Sequence, residues 1–241
     1  MKSILTILLG IISISSFAQN PLTPGNDSFE KKWIKNSTYD MTWYALRDTL
    51  KFEIGKVSTQ LLTDKNTLHL ITQVSLKGRT TPWVDSTSAD TKTLKPIRHS
   101  SYNAQRDMVL NFGKVVSGFY NDKAKNQNTV IHDTTKVDYF DSNLYPTLIT
   151  WLPLKEGYKK DISIYDYNPS AKIGVLKASV TEVKNGTYKS INSGNKEVWI
   201  VTVADEISNG ISTYYIDKAD RKLWKQEISV DGRNMMMLRT E

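Results

Sequence analysis

The chain has 241 residues with no cysteine, and its 32 Lys and Arg stand against 25 Asp and Glu for a formal net charge of +7. Without thiols, disulfides, thiolate zinc sites and cysteine nucleophiles are excluded. The lysines are scattered rather than gathered in a stripe, so no nucleic-acid partner is expected, and a chain of this length can bury enough surface to stand without disulfides.

Residues 1–18 read as a signal peptide: a basic Met1-Lys2 start, an apolar run over 4–14, and the small-x-small site Ser16-Phe17-Ala18 before Gln19. The run is too short for a membrane span. The expected mature chain is exported and periplasmic and has no transmembrane segment after cleavage. Outer-membrane association is the alternative. Residues 19–37 form a lead-in, with a short turn or helix over 29–34 capped by Asp27 or Ser28.

Strands then follow in rapid succession. In the clearest, residues 67–76, Leu68, Leu70, Thr72, Val74 and Leu76 share one face. Gly113-Lys114, Asn185-Gly186 and Asp231-Gly232 are turn signals, the last two of the two-residue hairpin kind. Between two strand sets lies 141–157, where Leu144, Leu148 and Trp151 or Leu152 fall at helical spacing. Pro146 restricts Tyr145 and suits the first helical position, so the predicted helix runs over 146–152 and stops at Pro153.

About ten or eleven strands with one helix argue against a parallel α/β sheet. The expected fold is mostly β: a single strongly curved antiparallel sheet, an incomplete β-barrel with one or two short helices against its concave side. A two-sheet sandwich is the alternative. One domain is expected over 38–241.

A helix over such a sheet predicts an apolar cavity lined by Leu144, Tyr145, Leu148, Trp151 and Leu152, suited to a lipid or acyl chain. Plain packing of the same stripe on the sheet is the alternative. Arg106 and Asp107 are adjacent in a strand and must face opposite ways, so each needs its own partner or solvent. Arg106 is a candidate to meet a ligand carboxylate or phosphate at the cavity mouth. His69, His99 and His132 are far apart, and a metal would require them to converge with an Asp such as Asp133 or Asp141. No local spacing supports that, so neither metal nor cofactor is expected. There is no Gly-x-Ser-x-Gly and no glycine-rich phosphate loop, so no residue is assigned a catalytic role.

The chain also carries Phe140-Asp141, Leu152-Pro153-Leu154 and Gly157, and closes with 212–217 (STYYID) and 221–227 (RKLWKQE). In these it resembles the exported domain-of-unknown-function family 3108 and, more remotely, the periplasmic lipoprotein carrier LolA and its receptor LolB. The resemblance implies an incomplete barrel covered by helices and able to hold acyl chains. The expectation is therefore a non-enzymatic envelope protein with an apolar ligand. A structural or protein-interaction module with an envelope protein partner is the alternative, and an envelope hydrolase the third reading. Only distant polar residues converging in one cleft would favour the hydrolase.

Overall fold

The computed structural model describes residues 20–25 and 29–241. The signal segment and the capping residues Asp27 and Ser28 lie outside the described residues.

The first half holds β1 (Ser37–Arg47), β2 (Leu50–Asp64), β3 (Thr67–Leu76), β4 (Trp83–Asp90), β5 (Pro96–Tyr102), β6 (Arg106–Asn111), β7 (Val115–Asp122) and β8 (Gln127–Thr134). Then come β9 (Phe140–Asp141) and α1 (Tyr145–Trp151). The second half holds β10 (Lys160–Tyr167), β11 (Ile173–Ser190), β12 (Gly194–Asp205), β13 (Gly210–Asp217), β14 (Leu223–Val230) and β15 (Arg233–Arg239). All fifteen strands join one sheet in the order β8-β7-β6-β5-β4-β3-β2-β1-β15-β14-β13-β12-β11-β10-β9.

Sequence neighbours pair antiparallel from β1 to β8 and again from β10 to β15. β1 pairs with β15 through six register positions, from Met41 opposite Arg239 to Leu46 opposite Asn234. β9 pairs parallel with β10, as Phe140 opposite Ile164 and Asp141 opposite Tyr165, with α1 in the crossover. Parallel strands need such a crossover, whereas antiparallel ones need only a turn.

The expected curved, incomplete barrel is corrected on this point. The ladder is a single open series with β8 and β9 as free ends. Closure would require those two to pair, and β9 offers only two residues, already bonded to β10. The sandwich alternative fails too, since the described strands form one sheet and not two. Side chains reach between the two ends of the ladder: Tyr165 Oη on β10 donates to Asp133 Oδ2 on β8 at 3.0 Å, and the Tyr139 and Tyr165 rings lie 5.1 Å apart.

Two turn signals had opposite outcomes. Asp231 and Gly232 both take positive φ, 50° and 72°, as a type I′ hairpin between β14 and β15 requires. Asn185 and Gly186 lie inside β11, opposite Trp199 and Val198. A Cβ at Gly186 would meet the Ile200 side chain, which would have to shift to admit it. A dipeptide favoured in turns here relieves crowding between strands.

The helix begins one residue before the predicted start and ends at Trp151, with Leu152 extended at ψ 153°. That stop fits Pro153, which disfavours helical dihedrals in the residue before it. The lead-in packs rather than trails. Leu22 bridges in parallel to Ile162, and the predicted turn shrinks to a single 3-10 turn over Lys31–Trp33.

One core takes in α1, the lead-in and both halves of the sheet. Leu22, Leu68, Leu70, Ile162, Ile164 and Val201 are among its buried members.

Candidate functional site

The helix residues expected to line a lipid cavity are used up in packing. Leu144, Leu148 and Leu152 are all 0% exposed and belong to the main core. Trp151 is buried as well, at the inner wall of a small cleft of about 280 Å³ beside Arg221. The apolar stripe fills the space instead of surrounding it. That overturns the lipid or acyl-chain reading.

A larger cleft of about 530 Å³ remains between the start of α1 and the sheet. Its wall is mixed, with polar side chains from β4, β5, β6, β10 and β12 beside Met41, Val57 and Met108. Two of the expected residues reach it, Tyr145 and Arg106. The Tyr145 hydroxyl donates to Asp205 Oδ2 at 3.0 Å. Burial, with Tyr214 and Asp205 nearby, pushes that phenol well above its ordinary value.

Arg106 and Asp107 do face opposite ways. Asp107 pairs with Lys123 at 2.7 Å on the outer side. Arg106 points to the cleft, where Nη2 donates to Ser101 Oγ at 3.2 Å and the guanidinium lies 5.6 Å from the Trp83 ring centre.

The same end of the cleft carries the most concentrated chemistry. His99, on β5, places Nδ1 at 2.9 and 3.0 Å from the two oxygens of Asp141 on β9. An ionised carboxylate only accepts, so the ring holds its hydrogen on Nδ1. Thr87 Oγ1 donates to the same carboxylate, and Asn143 Nδ2 donates to Thr87 Oγ1 at 2.9 Å. Asp85 accepts from Trp83 Nε1 at 2.8 Å, and Asp166 accepts from Ser142 Oγ at 2.8 Å.

At this end of the cleft, His99 Nε2 and Arg106 Nε are buried without partners. The nearest acidic oxygen to Nε2 is Asp85 Oδ1 at 3.9 Å, beyond hydrogen-bond range. Burial alone would push the His99 imidazole down; the charge of Asp141 and its hydrogen bond, then Asp85 and Asp166, hold it above its ordinary value. Burial raises the Asp166 carboxyl as well. Both shifts run toward the protonated form.

Of the three histidines, only His99 converges with an Asp named from the sequence. His69 bonds Ser88 Oγ at 3.0 Å. Among the described residues, no three His, Asp or Glu side chains group to hold a metal ion. Asp85, Thr87, Ser101 and Asp166 escaped the sequence reading. The signal was there in the alternation: Asp85 faces Ser101, and Thr87 faces His99, across the β4–β5 ladder. Polar residues thus recur at inward positions.

Residues 38–239 match the family described as Protein of unknown function (DUF3108). The chain belongs to that family. Among solved structures, this DUF3108 chain is similar to the crystal structure of a beta-barrel-like protein of domain of unknown function DUF1849 from Brucella abortus. The identity is 9% and the TM-score 0.53, over 86% of this chain and 96% of that one. At such identity the likeness concerns fold alone. No curated protein matches the DUF3108 chain. The relationship to the lipoprotein carriers has no support in either match, and the open ladder and filled interior speak against it.

The closing segment, residues 212–227, is a structural clamp. Asp217 Oδ2 accepts from Trp224 Nε1 at 2.9 Å, and Arg221 Nη2 reaches Glu30 Oε2 in the lead-in at 3.0 Å. Leu223 is buried, as its inward register requires. Among the described residues no helix is long and apolar enough to cross a membrane.

Proposed function

We propose that this protein is a structural and protein-interaction module of the cell envelope, exported to the periplasm, whose interior is packed rather than loaded with lipid. Export rests on the signal-like residues 1–18.

The observation that carries the interaction reading is the β8 edge. Eight residues, QNTVIHDT, run along a free end of the ladder with neither Lys nor Pro among them. Sheets ordinarily protect such edges with those residues, because unpaired backbone groups invite another strand. Val130 on this edge is 83% exposed. The partner this suits is an extended segment of another envelope protein, paired through its backbone.

The test is site-specific photocrosslinking in the producing cells, with the reactive residue at position 130 or at Ile191, which is also highly exposed but lies at a hairpin tip. A discrete product from 130 alone is expected. The same product from both positions, or from neither, overturns the reading.

A further inference from the structure

The cleft beneath α1 has a chemistry that docking at the β8 edge leaves unused. A group that settled in it would meet donors and acceptors interleaved. Asp85, Asp166 and Asp205 accept, while Arg106, Asn143 and His99 offer N–H groups. Met41, Val57 and Met108 supply apolar wall between them. Trp83 stands at the rim, 37% exposed.

This combination discriminates among ligands by charge. An anion would face the acidic side chains of Asp85, Asp166 and Asp205, with Arg106 the one Lys or Arg among the described lining residues. A cation would compete with Arg106, which is already inside, hydrogen-bonded to Ser101 and lying over Trp83. A fatty chain would strand the polar side chains away from water. A neutral, hydroxyl-rich molecule meets none of these objections, because each hydroxyl both donates and accepts.

The geometry at His99 indicates where one hydroxyl goes. The imidazole is 4% exposed and lines the cleft, and its Nε2 has no partner. The 3.9 Å from Nε2 to Asp85 Oδ1 is too long for a direct bond but suits one bridging oxygen. With a hydrogen on Nε2 as well as on Nδ1, a hydroxyl there would accept from the ring and donate to Asp85. Asp141, braced by Thr87 and Asn143, fixes the ring for that contact.

We propose that this cleft is a saccharide-binding site, with His99 and Asp85 bridging one sugar hydroxyl and the Met41–Val57–Met108 wall receiving the ring's C–H face. The volume of about 530 Å³ lies in the range of small-molecule pockets. The site would let the module recognise an envelope glycan. It rests on other residues than the β8 edge, so either reading can fail alone.

The test is titration of the purified mature chain, in buffer free of glycerol and sugars, with maltotriose and with chitotriose, followed by saturation-transfer NMR and calorimetry. Inorganic phosphate and octanoate serve as probes of the excluded classes. Saturable binding of at least one oligosaccharide is expected, weakened about tenfold or more in Asp85→Asn, where a lost charge-assisted hydrogen bond is read as affinity. Val57→Trp, which blocks the cleft wall without touching the polar cluster, should abolish it. Both variants are checked for an unchanged melting temperature, and a variant that fails this check is replaced by Met108→Trp at the same wall. No saturable oligosaccharide binding up to about 10 mM, a range that covers even weak sites, overturns the proposal. So does binding unaffected by the cleft variants, or tighter binding of phosphate or octanoate.

Discussion

The interior has two regions with opposite characters, and they adjoin along the same strands. Phe140 and Asp141 are neighbours on β9, yet Phe140 joins the apolar core and Asp141 anchors the polar cluster. On β4, Ala89 packs in the core while Thr87 and Asp85 serve the cluster. The apolar region is redundant: many contacts share the load, and the Leu144, Leu148 and Leu152 stripe is wholly buried in it. The polar region is specific. Each member depends on one or two named partners, and an orphaned one carries a full desolvation penalty.

The largest effect should come from the apolar side. Leu148→Ala is expected to cost about 3 kcal/mol, the usual range for a wholly buried leucine, and Leu148→Asp should prevent folding, because its charge has no partner there. Denaturant titration followed by circular dichroism reads both. A lid over a ligand would instead leave stability intact, so a midpoint unchanged by Leu148→Ala would break the contrast between the regions.

Asp141→Asn comes next, at about 2 kcal/mol for losing a charged hydrogen-bond partner, and its dependence on pH sharpens the comparison. His99 is held above its ordinary value, near 6.5 when unfolded. A raised group stabilises the fold fully below the unfolded value, and that contribution is lost as pH rises through the folded value. The gap between wild type and Asp141→Asn should therefore be widest near pH 6 and narrow toward pH 9, as melting temperatures across that window would register. A gap that widens with pH would refute the protonated His99. Tyr145→Phe should be the mildest, about 1 kcal/mol for one hydroxyl bond to Asp205, measured by the same titration; a loss as large as that of Leu148→Ala would erase the boundary between packing and polar contact.

The mostly β character, the placement of the helix, the Asp231-Gly232 turn and the opposed directions of Arg106 and Asp107 could be read from sequence because each depends on neighbours within a few residues. Alternation and turn chemistry are local. What the sequence did not disclose depends on distant pairs. Asp141 meets His99 from 42 residues away, and no spacing rule spans that separation. The same holds for the ladder's free ends and for α1 filling the interior, since an apolar stripe looks the same whether it lines a cavity or plugs it. Asn185-Gly186 misled for a related reason: the pairing that holds it inside β11, and the Ile200 side chain beside Gly186, come from the neighbouring strand.

The pairing of β1 with β15 has a kinetic consequence. Nearly every other neighbour in the ladder can be joined by a short turn, so β1 to β8 and β10 to β15 can each zip up from local hairpins. The seam between them joins Met41 to Arg239, almost the whole length of the described chain, and no turn assists it. Contacts that close such long loops come late and slow the folding of β proteins. Until the seam forms, the facing edges of β1 and β15 stand open together, and the two halves are exposed to mispairing with other copies.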